Sequence, residues 1–519
     1  MAKAAGVKAA KAGMAAAKKS GRQAVVVIHG MGEQMPMATL RSFVDAVWVT
    51  DDSLFDPARP DSNTGAFRTH NPVWSRPDGR NRSFELRRIT TEQPLKGMRT
   101  DFYEFYWAHL MEGTTWNHLG AWISDLLLRR PDRVPRDVFP AWIALWVVAL
   151  CITGAVLYTA YATVTGTGDP WLKGASVLVG ILGAAAYAGF QLFKSKSSQF
   201  MLGYFGDVAR YVRATPTNVA RRQEIREKGV ELLETLMGVE GADAPDAPPV
   251  GPDTVWKTPY DRIIVVAHSL GSIVAYDVLQ HAFARSHRRL HADPAATQPH
   301  RDKLEAYLRD TPADAFDTGH YQNLQAACLN ELKDQKHPWI VSDFVTLGCP
   351  LTHAEFLLAY DLDDVDRQQG ERSLPTCPPQ VEWDAETERK HVSFWNGPLK
   401  GTTRDEKSTR FRYPHHAAHF AFTRWTNLHS KAQNIAWGDL ISGPVGNLFG
   451  LKGEHGYLKG VKDVPVLPDR DENGNPLGDV PLFTHTKYWD ATVRTGPGDT
   501  GKVPHHIEKL REALNLKNR

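Results

Sequence analysis

The 519-residue sequence predicts an α/β fold: a mainly parallel sheet flanked by helices, with a two-helix transmembrane hairpin inserted into it. Three observations carry this. Residues 24–28 (AVVVI) and 262–267 (RIIVVA, apolar after its first Arg) are short β-branched runs of the kind found in strands buried on both faces. Helical stretches alternate with the strand candidates, as in sheets closed by crossover helices. Two longer runs, 138–167 and 174–193, hold no charged residue.

Taken in order, residues 1–22 contain five Lys, one Arg and no acid, and read as a basic flexible tail. Near anionic lipid head groups each Lys would contribute about 1 kcal/mol. The apolar run 24–28 is too short for a signal-peptide core. It leads into His29-Gly30 and opens the first part of the main domain, 23–135. Residues 84–89 and 102–107 are further strand candidates there.

The hairpin occupies 136–194, with spans at 138–165 and 172–193. Each is long enough for the roughly 20 apolar residues a membrane helix needs. Trp142, Trp146, Tyr158, Tyr161 and Trp171 suit the interfaces. Gly180 and Ala184 would let the two helices approach closely. Arg129, Arg130, Arg133 and Arg136 precede the first span and Lys194 and Lys196 follow the second. The connecting loop holds Asp169 and Lys173. That bias places both outer flanks in the cytoplasm. A buried hairpin in a soluble core is the alternative. Two spans return the chain to its starting side, so 23–135 and 195–519 can fold together.

In the second part, 218–236 is charged and helical, and 238–259 is a linker rich in Pro, Gly and Asp. Strand 262–267 is followed by a helix from near Leu270. Residues 342–347 and 420–427 are further strands, the first closed by Gly348-Cys349-Pro350. The polar, Pro-containing insertions 286–320 and 361–415 are cap-like. Net charge is +2, which argues against nucleic acid as a general partner. The four cysteines, Cys151, Cys328, Cys349 and Cys377, form no CxxC pair, so neither a disulfide scaffold nor a four-Cys zinc site is expected. The run from Asp469 to Gly474 begins like an EF-hand loop, but Val480 stands where the bidentate Glu belongs. His415, His416 and His419 lack an HExxH arrangement. No cofactor is expected.

The chemistry centres on Ala267-His268-Ser269-Leu270-Gly271, between a strand and a helix. Small residues on either side of Ser269 allow a turn tight enough to lift its hydroxyl above the sheet, at a helix N-terminus. A helix-capping Ser is the plain alternative. A reactive serine needs a base and preorganised N–H donors for the oxyanion. The backbone N–H of Leu270 and that of Met31 are the expected donors, with Gly30 leaving room for substrate.

These motifs resemble the α/β-hydrolase family, especially its serine lipases and esterases. The resemblance rests on VVVIHGMGEQ, RIIVVAHSLGSIVAYDVL and VTLGCPL, and covers 23–50, 260–285, 340–360 and 420–490. Ala267 replaces the usual first Gly of the pentapeptide. The family order is Ser, acid, His. It marks Asp439, in a D-x-x-S-G context after Trp425 and Asn427, as the acid. It marks His485, ahead of Tyr488-Trp489, as the base. Asp343 is the nearest competitor for the acid, although it sits inside a strand pattern. The resemblance implies a serine hydrolase that cleaves acyl esters, lipids among them; the hairpin and its flanking charges add the expectation of a membrane anchor, with membrane lipids around it and the catalytic domain facing the cytoplasm. An inactive scaffold, or thioester, amide or acyl-transfer chemistry on the same three residues, are the other readings.

Overall fold

The computed structural model describes residues 21–30, 35–54, 70–81, 85–93, 97–111, 128–134, 211–212, 216–239, 255–287, 298–384, 389–391, 394–395, 413–430, 438–439, 441–453, 456–467, 484–490 and 503–517, with scattered positions between 60 and 83 and between 136 and 161. Eight strands form one mixed, mostly parallel sheet: β1 (Arg22–Ile28), β2 (Val73–Pro77), β3 (Arg87–Thr91), β4 (Arg99–Phe105), β5 (Arg262–His268), β6 (Val341–Leu347), β7 (Arg424–His429) and β8 (Lys462–Pro465). Their order is β8-β7-β6-β5-β1-β4-β3-β2. The six from β8 to β4 are mutually parallel, while β3 and β2 add an antiparallel edge.

The apolar run of β1 makes it a central strand, and alternation of its side chains feeds two cores. Ala24, Val26 and Ile28 enter one core with Ile263, Val265 and Ala267. Val25 and Val27 enter the other with Ile264 and Val266. Each large apolar side chain so buried contributes about 1.5–3 kcal/mol. The first core is covered by α2 (Pro216–Met237) and α3 (Leu270–His287). The second is covered by α1 (Ala38–Val44) and by α7 (His505–Leu514), whose Ile507, Leu510 and Leu514 recur at helical spacing.

Several boundaries differ from the sequence expectation. Residues 1–20 of the expected basic tail lie outside the described residues, and Arg22, expected to close it, instead begins β1 and pairs with Asp101 at 2.5 Å. The strand expected at 84–89 is β3, starting at Arg87. The run 420–427 starts as a 3-10 turn, His419–Ala421, and becomes β7 only at Arg424. The His419 carbonyl takes both the Phe422 and Thr423 N–H groups, which keeps this apolar stretch from extending. At the linker, 240–254 lies outside the described residues. Its far side is tied down, with Thr258 Oγ1 donating to the Leu236 carbonyl.

The helices α4 (Pro299–Asp310) and α5 (Thr318–Asp334) hold the described part of 286–320 and beyond. Gln322 and Gln325 donate to carbonyls of Trp425, Phe420 and Thr423, and Lys333 Nζ donates to the Asp261 carbonyl at 2.8 Å. Those carbonyls lie at the N-terminal ends of β7 and β5, the edge of the sheet away from Ser269. In 361–415, Asp361 caps α6 (Leu362–Gly370) through the Asp364 N–H. Arg129 donates to the carbonyls of Glu355 and Ala359, and Arg133 faces Asp361 at 3.5 Å. The flank of the expected first span is thereby fastened to the segment that follows β6. The described residues from 139 to 161 are helical. The expected second span, 172–193, lies outside the described residues. Among the described residues no helix is long and apolar enough to cross a membrane.

Candidate active site

The parallel strands deliver their C-terminal ends to one edge of the sheet. β1 lies between β4 and β5, so the connections leave it in opposite directions there, which is where open α/β sheets leave a crevice. Ser269 stands at this edge, between β5 and α3. Its φ is 54°, in the left-handed region, at a cost of about 1–2 kcal/mol for a residue with a Cβ. The turn is held by Ser269 N–H donating to the Leu347 carbonyl at 3.0 Å. A Cβ on Gly271 would lie 2.3 Å from the His29 carbonyl oxygen, so only glycine lets α3 start against the end of β1. A Cβ on Gly30 would meet the Ser269 Cβ at 2.9 Å. Leu270 opens α3, where the first N–H groups of a helix have no partner within it. Met31 lies outside the described residues.

The three residues singled out by the sequence come together. His485, in the turn Thr484–Thr486, places Nε2 2.7 Å from Ser269 Oγ. Its Nδ1 is 2.8 Å from Asp439 Oδ2. All three residues are almost fully buried. Burial alone would push the Asp439 carboxyl up. The His485 ring beside it and the Tyr488 and Ser442 hydroxyls outweigh that and hold it down at about 2. Asp439 is therefore ionised at neutral pH and holds a proton on His485 Nδ1, leaving Nε2 as the acceptor for the serine proton.

Residues that the sequence did not single out hold this geometry. Tyr488 is fully buried, and its hydroxyl donates to Asp439 Oδ2 at 2.8 Å. The Tyr488 hydroxyl oxygen in turn accepts the Ser430 N–H at 3.0 Å and lies 2.8 Å from Ser442 Oγ. The Ile441 N–H donates to Asp439 Oδ1. His268 Nε2 meets the His485 carbonyl at 2.7 Å, and the His268 ring is edge-on to Trp489. Burial, with His485 next to it, lowers His268 to about 3, so it is neutral and donates this bond. His29 is held similarly, lowered to about 4 mainly by burial. Its Nδ1–H donates to the Gly30 carbonyl at 2.7 Å, and its Nε2 accepts the Trp107 N–H at 3.2 Å. Trp107 Nε1 also donates to the His29 carbonyl, fixing the end of β1. In the sequence, Tyr488 was visible only as half of an aromatic pair near His485, with nothing to connect it to Asp439.

Asp343 lies near the start of β6, at the opposite edge. It pairs with Arg424 at 2.7 Å and faces Arg262 at 3.6 Å. His415 and His419 are buried, with their rings lowered to about 2 and about 3 by burial. Among the described residues no group of His, Cys, Asp or Glu is placed to hold a metal ion. Cys328, Cys349 and Cys377 are buried free thiols. Cys151 and the stretch from Asp469 to Val480 lie outside the described residues. Compared with protein-family models, curated proteins and solved structures, the chain finds no match in any of the three.

Proposed function

We propose that this chain is a serine hydrolase of the α/β-hydrolase type that cleaves acyl esters at a membrane. The observation that carries the proposal is the hydrogen-bonded series from Ser269 through His485 to Asp439 at 2.7 and 2.8 Å, with Ser269 on a left-handed turn at a helix start. In this reading Ser269 Oγ attacks the ester carbonyl while His485 Nε2 takes its proton. The carbonyl oxygen becomes an oxyanion, held by the N–H groups of Leu270 and Met31. Collapse breaks the bond to the alkoxide, which leaves with the proton from His485. Water, deprotonated by the same ring, then releases the acid and restores Ser269. An inactive scaffold would have no use for a strained serine and a shared proton path, so the hydrolase reading is preferred. Hydrolysis of p-nitrophenyl esters in detergent micelles tests it. The expected result is Ser269-dependent turnover, with medium or long acyl chains preferred over acetyl. A rate falling steadily from acetyl upward would remove the lipid preference, and no turnover at any length would remove the hydrolase.

The membrane part of the proposal rests on the stripe Ile143, Val147, Leu150, Leu157 and Tyr161. These residues are 43–64% exposed and recur at spacings that share one helix face. Moving such a face from water into lipid lowers its free energy. Exposed Arg130 and Arg136 beside it suit an anionic cytoplasmic surface. The protein is expected to stay with membranes through high salt and carbonate. A cysteine introduced by Gly168→Cys should react with an impermeant thiol reagent from outside the cytoplasm, and one introduced by Ser197→Cys should not. Equal reactivity would overturn this topology, and free solubility without detergent would overturn the anchor.

A further inference from the structure

We propose that a cavity beside the candidate active site is a subsite for a cationic group, an ammonium carried on the substrate's leaving alcohol, with the Glu104 carboxylate as its counter-ion. This rests on the ester-hydrolase reading. The cavity, about 420 Å³, opens at the C-terminal end of β4. In register, Glu104 lies opposite Val27 and Phe105 opposite Ile28, directly before His29 and Gly30. The rings of Tyr106 and His29 are 5.3 Å apart. Glu104 is thus on the second strand from Ser269 and level with Val266, three residues short of it, about 14 Å away between backbones at ordinary strand spacing and rise. The Glu104 side chain and an alcohol chain of about six carbons together cover roughly that distance.

Glu104 is fully buried, yet only one of its oxygens is satisfied within the protein. Oε2 accepts the Met37 N–H at 2.6 Å, while Oε1 has no partner among the described residues. A buried acceptor left unpaired carries a desolvation cost that a ligand's donor removes. The remaining lining favours a cation as that donor. The Arg and the Lys on the wall already face acids: Arg80 meets Asp78 at 2.7 Å and Lys228 meets Glu224 at 3.5 Å. Glu85 and Glu231 add negative charge. Tyr106, stacked on His109 at 5.5 Å, offers an aromatic face to an ammonium. Burial pushes the Glu104 carboxyl up to about 7 against the pull of the Met37 N–H. An arriving cation would stabilise its ionised form and release the proton to solvent.

The test compares the octanoyl esters of 6-amino-1-hexanol and 1-heptanol, which differ in one terminal group, at pH 8. The amino ester is expected to have kcat/KM higher by about 10-fold, the worth of one charge-assisted hydrogen bond. Glu104→Gln should abolish that ratio, since its amide oxygen still accepts the Met37 N–H but carries no charge. Glu85→Lys, at the exposed rim, should lower the ratio by repulsion and guards against a folding defect in the first variant. Equal kcat/KM for the two esters, or a ratio that survives Glu104→Gln, would overturn the subsite. Hydrolysis of neither ester would instead overturn the hydrolase reading. n-Hexylammonium distinguishes a free cation from a substrate group. A Glu104-dependent rise in Tm without any ester preference would mean a separate effector, and would overturn the leaving-group assignment.

Discussion

A fluorophosphonate probe is expected to modify this protein at Ser269, and Ser269→Ala should abolish labelling and lower kcat by about 10⁶-fold. The size follows from what the hydroxyl does. In the proposed reaction it is the group on which the acyl intermediate forms, and without it His485 would have no proton to take. The hydroxyl at 2.7 Å from His485 Nε2 is already aligned for that transfer. The substitution removes one oxygen and leaves the backbone bond from residue 269 to the Leu347 carbonyl in place. Far-UV circular dichroism and Tm should therefore be close to those of the parent. Mass spectrometry locates the adduct. Labelling that persists in Ser269→Ala, or an adduct on another serine, would remove the assignment.

The second large effect concerns the base and its carboxylate. His485→Ala should lower kcat by about 10⁴-fold or more, and Asp439→Asn by roughly 10³–10⁴-fold. The double variant should be little worse than His485→Ala, because both act on one proton transfer. Asp439→Asn is close in shape, so its cost is the loss of charge and of the correct imidazole tautomer. With its carboxyl held at about 2, Asp439 stays charged throughout the working range. Its folded value lies below the unfolded one near 3.9, so its contribution to stability is complete above about pH 4 and is lost as pH falls through about 2. Tyr488→Phe should cost less, about 10-fold, by removing one of the hydrogen bonds that hold Asp439. Asp343→Asn is the contrast. It should reduce stability, since it breaks a buried pair with Arg424, and leave kcat near the parent value. The opposite pattern, Asp343→Asn inactive and Asp439→Asn active, would show that the acid is misassigned.

Much of this fold is legible locally. The runs 24–28 and 263–267 inside β1 and β5 are apolar at every position, because a parallel strand buried on both faces has no wet side to record. The turn at Ser269 is legible for a similar reason: a chain that bends so tightly between strand and helix requires small residues beside it, and Ala267 and Gly271 supply them. The edge strands β2 and β8 were not visible. Val73–Pro77 and Lys462–Pro465 carry Arg, Lys, Asp and Pro, and pair only because a neighbouring strand offers its free edge. The run 420–427 misled, because buried aromatics such as Phe420 and Phe422 look the same in a strand and in a tight turn.

By itself, then, the sequence determined the strand–turn–helix around Ser269 and the charge-free run from 138. These depend on residues close together, whose periodicity and size are recorded directly. Only the tertiary structure decided which carboxylate faces His485. Asp343 and Asp439 are both plausible along the chain, but the parallel register of β5, β6 and β7 sends one to each edge of the sheet. It also decided that Tyr488 reaches Asp439 while Ser430 and Ser442 meet the Tyr488 hydroxyl, and that Glu104 is buried beside a cavity with one oxygen unpaired. Those facts arise from chain segments tens to hundreds of residues apart, whose meeting is set by the packing of the whole sheet and leaves no local mark.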